Sequence, residues 1–227
     1  MKASAVASGC FISLEGIEGA GKTTLAVSLE EALRARGVAV RRTREPGGTP
    51  LAERLRAVLL EPGVEPVGVH AETLLMFAAR AIHLQNLIRP ALQRGEWVIC
   101  DRFSDATRAY QGGGRGVSAA LIEQLAEAVH ADLWPHRTLL LDVPVALGAE
   151  RARARRGQPD RIEQEAAAFF ERVRQTYRQI AASEPQRVRL LDATAEPAKL
   201  LAQALASLSD LLPRALPAAS PSVHGPR

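Results

Sequence analysis

Short apolar runs alternate along this chain with longer stretches in which apolar residues recur at helical spacing. Cys10-Phe11-Ile12-Ser13-Leu14 has the character of a buried strand, and Leu25, Leu29 and Leu33 then repeat every four residues up to about Arg36, where Gly37 supplies a helix stop. A second strand is expected over 38–43. Pro50 opens a helix carrying Leu51, Leu55, Val58 and Leu59, because proline is tolerated in a first turn. A long helix is predicted over 71–94, bent at Pro90 and closed by Gly95. Trp97-Val98-Ile99-Cys100 forms a third strand, ending at Asp101-Arg102, and a polar loop follows as far as the triple glycine after Gln111. Ser118 caps a helix through Val129, strands are expected over 138–142 and 188–191, and helices over 145–156, 162–182 and from Pro197 to about Leu212. Strands that alternate with helices predict an α/β fold, a three-layer arrangement with a five-stranded parallel sheet covered by helices on both faces. Ligands of such sheets bind at the carboxyl ends of the strands. That edge collects residues 16–23, 44–49, 101–111 and 192–194.

Length sharpens this picture. The 227 residues suit one domain, here expected over 10–212, between a flexible leader at 1–9 and a disordered proline-rich tail at 213–227. Neither of the two cysteines lies in a metal-ligand spacing, so both are read as buried thiols. With no signal-like leader and no run of about 18 apolar residues, a cytoplasmic protein without a membrane partner is expected. A net charge of +4 could point to nucleic acid. The basic residues are mostly dispersed, however, and polyphosphate substrates are an equally good reason for them.

The chemistry begins at Gly16-Ile17-Glu18-Gly19-Ala20-Gly21-Lys22-Thr23, which matches Gly-x4-Gly-Lys-Ser/Thr between a strand and a helix. Backbone N–H groups of such a loop cradle phosphate oxygens at the positive end of the helix, joined here by Thr24. Lys22 reaches the β- and γ-phosphates, and Thr23 holds Mg²⁺. The loop alone does not separate a kinase from a switch or a motor. No Asn-Lys-x-Asp guanine reader follows, and a helicase needs more chain. Arg44, Arg80 and Arg102 instead form a second basic set at strand ends or on the long helix, suited to a second anion or a base edge. Two anionic substrates at one edge imply phosphoryl transfer. A non-catalytic, ATP-gated nucleic-acid module is the rival from another class, and the second anion site at Arg102 argues against it.

These motifs together resemble bacterial thymidylate kinase. The resemblance rests on residues 16–23, Thr43-Arg44-Glu45-Pro46-Gly47-Gly48-Thr49, Phe77-Ala78-Ala79-Arg80, Asp101-Arg102-Phe103, Ala109-Tyr110-Gln111 with its three glycines, and 151–156 followed by Asp160-Arg161-Ile162-Glu163. It implies transfer from ATP to dTMP with Mg²⁺, in a homodimer and without nucleic acid. Carried onto this chain, it implies that Glu18 accepts from the 3′-hydroxyl and that Arg102, aided by Arg44, grips the dTMP phosphate. Arg80 would donate to a thymine carbonyl, Thr107 would meet the base edge with Gln111 close by, and Tyr110 would crowd the 2′ position. Asp101 would act near Mg²⁺, and residues 192–194 would lie against adenine. Two positions depart from the family pattern. Met76 stands four residues before Arg80, where an aromatic is usual, and Phe77 stands three before, so either could cover the base; Ala106 replaces a hydroxyl residue. Another nucleoside monophosphate kinase is the nearest rival.

Arg151, Arg153, Arg155 and Arg156 have no carboxylate among them, a pattern better explained by an anion that arrives than by a solvated face. Because residues 16–23 contain no arginine, the resemblance implies the type whose catalytic arginine, here Arg153 or a neighbour, sits in a lid over about 151–161.

Overall fold

The computed structural model describes residues 9–60, 65–154, 161–162 and 165–212. Five strands form one sheet: β1 (Phe11–Glu15), β2 (Val40–Arg44), β3 (Trp97–Asp101), β4 (Arg137–Asp142) and β5 (Val188–Asp192). Their order is β2-β3-β1-β4-β5, and every pairing is parallel. Parallel strands need crossovers, and the helices supply them. Side chains alternate across the sheet: Trp97 and Ile99 join one apolar cluster, Val98 and Cys100 the other. The first cluster takes the Leu25, Leu29 and Leu33 stripe of α1 (Lys22–Arg34), together with Leu200 and Ala204 of α9 (Pro197–Ser207). The second takes Leu84, Ile88 and Ala91. Burial on both faces is what the short, continuous apolar runs require.

Parallel register brings the functional strand ends together. Asp101 lies opposite both Leu14 and Arg44, and Asp142 lies opposite Asp192. Between β2 and β3 run α2 (Pro50–Leu60), α3 (Val69–His83) and α4 (Arg89–Gln93). The expected 71–94 helix is therefore continuous but not uniform. A wide π-type turn, Leu84–Ile88, joins α3 to α4 just ahead of Pro90. Proline has no N–H and its ring crowds the carbonyl four residues back, and a widened turn relieves both problems.

The expected polar loop after Asp101 is helical instead. A single turn, α5 (Ser104–Thr107), runs on into another wide turn, Arg108–Gly114, which includes the triple glycine. Glycine is a poor helix former, so tertiary packing decides here. A Cβ on Gly113 would stand 2.0 Å from Thr176 Oγ1, and one on Gly114 would stand 2.4 Å from the Phe169 ring. The glycines let α8 (Ala167–Ser183) lie directly on this segment. That helix begins five residues later than the 162–182 expectation, and α9 stops at Ser207 rather than near Leu212. Ser118 does cap α6 (Ala119–His130), accepting from the Leu121 N–H, and α7 is described over Val145–Ala154. The expected tail, the leader up to residue 8, and Arg155 and Arg156 lie outside the described residues.

Candidate active site

A cavity of about 590 Å³ opens at the carboxyl edge of the sheet. Two sets of elements build it. One is the phosphate loop with the start of α1, Arg151 of α7, and the 193–197 turn after β5. The other is the loop after β2, Met76 and Arg80 of α3, and the segment from Asp101 to Gln111.

Within the phosphate loop, Lys22 Nζ donates to the carbonyls of Gly16 and Ile17 at 3.0 and 2.9 Å. Burial, with the nearby Arg102 charge, lowers its pKa to about 8. A polyphosphate arriving beside it would favour the charged form again. Gly19 to Thr24 line the cavity, while Gly16 and Ile17 support the loop from beneath. Thr23 Oγ1 donates to Asp101 Oδ2 at 3.3 Å, which brings together the two residues expected near a metal ion. Beyond them, Arg151 Nη1 donates to Ala193 O, and Asp192 accepts from the N–H and hydroxyl of Thr194, folding that turn against the cavity.

Arg102 occupies the centre. Its φ of 72° is left-handed, a conformation an arginine adopts only when its surroundings impose it. Four contacts impose it: Arg102 N donates to Leu14 O, Phe103 N donates to Glu15 Oε1, and the guanidinium donates to Gly16 O at 2.9 Å and Glu18 Oε1 at 2.7 Å. Burial opposes its charge, but the oxygens of Tyr110, Glu18, Tyr177 and Asp101 hold it protonated well above the ordinary arginine range. The Tyr110 ring lies 4.7 Å beneath the guanidinium, and its hydroxyl donates to the Glu18 carboxylate. Glu18, Arg102 and Tyr110 thus form one cluster.

Arg80 is buried against the Phe77 and Phe103 rings, 4.8 and 5.1 Å from their centroids. Its Nε donates to Glu45 and its Nη2 to Thr107, whereas the enclosed Nη1 has no hydrogen-bond partner among the described residues. Arg44 is bonded to Glu53 at 2.8 Å and Gln111 to Glu72 at 2.8 Å, and both also line the cavity. Of the two candidates for covering the base, only Met76 lines the cavity. Phe77 instead packs with Val117, Ile122 and Ala126, its ring stacked toward His130. Three positions separate Phe77 from Arg80, which is enough for ring contact with the guanidinium without sharing its cavity face. Arg153 is exposed, bonded to Ala149 O, and does not line the cavity.

Several residues that matter here carried no sequence signal. Glu15 is fully buried and accepts from Phe103 N and from Tyr177 Oη; burial, with the neighbouring Asp105 charge, raises its pKa to about 8. Glu72 is buried too and gathers Gln111, Arg115 and Arg161, so the last residue of the expected lid is tied through Glu72 to Gln111 of the cavity wall. Glu45, His83 and Cys100 are close enough to suggest a metal centre. They are already committed, however: both Glu45 oxygens and both His83 nitrogens have partners, and the thiol donates to Arg102 O.

A phosphate loop ahead of a parallel sheet, facing a second buried cationic pocket across one cavity, defines a nucleoside monophosphate kinase of the P-loop class. The comparisons narrow the class. The sequence model of the thymidylate kinase family matches residues 14–204. A thymidylate kinase of Pseudomonas savastanoi pv. phaseolicola is 57% identical over 208 residues, covering 92% of this chain and 97% of that one. One from Alcanivorax borkumensis is 55% identical over 201 residues, covering 88% and 96%. The crystal structure of thymidylate kinase from Ehrlichia chaffeensis superimposes with a TM-score of 0.73 at 32% identity, covering 88% of this chain and 99% of that one. The chain belongs to the thymidylate kinase family.

Proposed function

We propose that the cavity at the sheet edge is where this chain carries out its family's reaction, transfer of the γ-phosphoryl group of ATP to dTMP, giving dTDP and ADP. The observation that carries this reading is the pairing, across one cavity, of a complete phosphate loop with a second pocket lined by Arg80 and Arg102. ATP lies along Gly19 to Thr24, with its base toward residues 193–197. The phosphate of dTMP meets Arg102, its 3′-hydroxyl meets Glu18, and a thymine carbonyl meets the Arg80 guanidinium. Met76 rather than Phe77 forms the wall beside the base.

Phosphoryl transfer needs little covalent work from a protein, so positioning and charge do most of it. Arg102 and Lys22 hold the two phosphates, and the buried surroundings strengthen both contacts. The Thr23 hydroxyl and the Asp101 carboxylate are an all-oxygen donor pair of the kind a hard cation takes, so Mg²⁺ fits. When bound, Mg²⁺ neutralises charge on the phosphates of ATP. The lid arginines supply a further cation. Arg151, already on the cavity wall, is the best placed of those described, and Arg153 would have to swing inward. The homodimer, and a cytoplasmic location, are also part of this reading. Exposed Leu51, Val58 and Leu74 on α2 and α3 offer apolar surface for a second copy, and no described helix is long and apolar enough to cross a membrane.

An ADP-release assay over a panel of monophosphates tests the reading. dTMP is the preferred acceptor, dUMP is weaker, and AMP and GMP are nearly inert, because a purine overfills a pocket closed by α3 and the Ser104–Thr107 turn. Equal turnover of AMP or GMP would transfer the reading to another monophosphate kinase.

A further inference from the structure

Glu45 lies in the loop after β2, and neither its sequence position nor its charge assigns it to a substrate. Its carboxylate is buried and fully used. Oε2 accepts from Arg80 Nε at 2.7 Å, and Oε1 meets His83 Nδ1 at 3.0 Å. His83 Nε2 in turn meets Thr43 Oγ1 at 2.7 Å. The loop is shaped to admit this chain of contacts. A Cβ on Gly48 would stand 2.5 Å from both His83 Nε2 and Thr43 Oγ1, so only glycine lets the backbone pass. Burial works against the Glu45 charge, but Arg80 and His83 keep its pKa below the usual carboxylate range. Glu45 N also donates to Asp101 O, tying the loop to the strand end that carries Asp101 and Arg102.

The consequence falls on Arg80. A guanidinium is planar, so fixing Nε with Glu45 and Nη2 with Thr107 leaves no freedom for Nη1. The side chain so held lines the cavity. We propose that Glu45, backed by His83 and Thr43, is a positioning residue for base selection: it locks the Arg80 guanidinium in the orientation in which it meets a pyrimidine carbonyl. An acceptor at that place, as on thymine, is then favoured over an amino group, as on cytosine. This inference rests on the proposed function, because it takes Arg80 to face the base of dTMP.

A double-mutant cycle tests it, using the full-length chain with ATP and Mg²⁺. Glu45→Gln keeps the shape and an acceptor for Nε but loses the charge. Because charged hydrogen bonds weaken by roughly 10- to 100-fold when so altered, KM for dTMP is expected to rise by about that factor, with KM for ATP and Tm little changed. The preference for dTMP over dCMP should fall by a similar factor. Arg80→Ala alone should raise KM for dTMP, and adding Glu45→Gln to it should then cost almost nothing further. Should Glu45→Gln fail to give folded protein, His83→Gln keeps the contact to Thr43 but loses the one to Glu45, and it must show the same pattern in weaker form. Additive losses in the double variant, or an equal rise in KM for ATP, would overturn the positioning role. The two readings fail separately. A wild-type chain that ignores dTMP sinks the proposed function, whereas a loss in Arg80→Ala with none in Glu45→Gln sinks only this inference.

Discussion

The two halves of the cavity are built in different ways. On the acceptor side, charges are already engaged, most of them buried: Arg80 with Glu45 and Thr107, the half-buried Arg102 with Glu18, and Gln111 with Glu72. On the donor side, two of the arginines expected to act lie on α7, Arg151 half-buried against Ala193 and Arg153 exposed. Removing one member of a buried ion pair typically costs about 3–5 kcal/mol, whereas an exposed pair is worth about 0–1 kcal/mol. The acceptor pocket is therefore rigid before any ligand arrives, and the donor side is free to reorganise around one. Selectivity belongs where geometry is fixed. Catalytic charge can come from a part that moves, since it is needed only while the phosphoryl group is in transit.

Breaking the donor side should have the largest effect on turnover. Replacing Arg151, Arg153, Arg155 and Arg156 together by alanine is expected to lower kcat by about 10³–10⁵-fold, the typical worth of such a cation, with KM for dTMP near that of the wild type. Steady-state kinetics with each arginine restored singly would then locate the group. Near-normal turnover in the fourfold variant would make the cluster a solvated face.

The acceptor side should fail in the opposite sense. Glu18→Ala is expected to weaken dTMP use by roughly 1.5–3 kcal/mol, the range for a charged hydrogen bond, and ATP use far less. A dTMP analogue without the 3′-hydroxyl should be almost indifferent to the substitution. Equal losses with both acceptors would leave Glu18 as merely the partner of Arg102 and Tyr110.

How far the chain could be read in advance follows the same division. The phosphate loop is contiguous, and its strand and helix flanks are set by local spacing, so both fold class and donor site were legible. Arg102 and Tyr110 could be placed through the family resemblance. Glu15, Glu45, Glu72 and Tyr177 could not, because their partners lie between 35 and 162 residues away and are chosen by packing. The helical triple glycine was misread as loop for a related reason: its neighbours Phe169 and Thr176, not its own propensity, decide its conformation. Phe77 shows the limit of helical spacing, which puts two side chains in contact without saying which of them faces the ligand.

The last effect concerns stability rather than turnover. His130 is buried beneath the acceptor side, bonded through Nε2 to Ser104 and packed against Phe103 and Trp134. Burial, aided by the Arg80 charge, lowers its pKa from 6.5 to about 4. The unfolded chain takes up this proton near pH 6.5, and the folded chain refuses it until about pH 4. Stability is thus expected to fall as pH drops across that window and to level off below it. In a Tm-versus-pH series, His130→Gln should lose less over the same window. Parallel curves for the two proteins would remove His130 as the cause.

The contrast itself is tested most directly by titrating dTMP into the chain without ATP, using calorimetry on the wild type and on the fourfold arginine variant. A pocket already built binds dTMP in the absence of the donor, and with the same affinity in both proteins to within about twofold. Binding that appears only when a non-hydrolysable ATP analogue is present, or that is lost in the fourfold variant, would mean that the acceptor site is assembled by the donor side and would contradict the account.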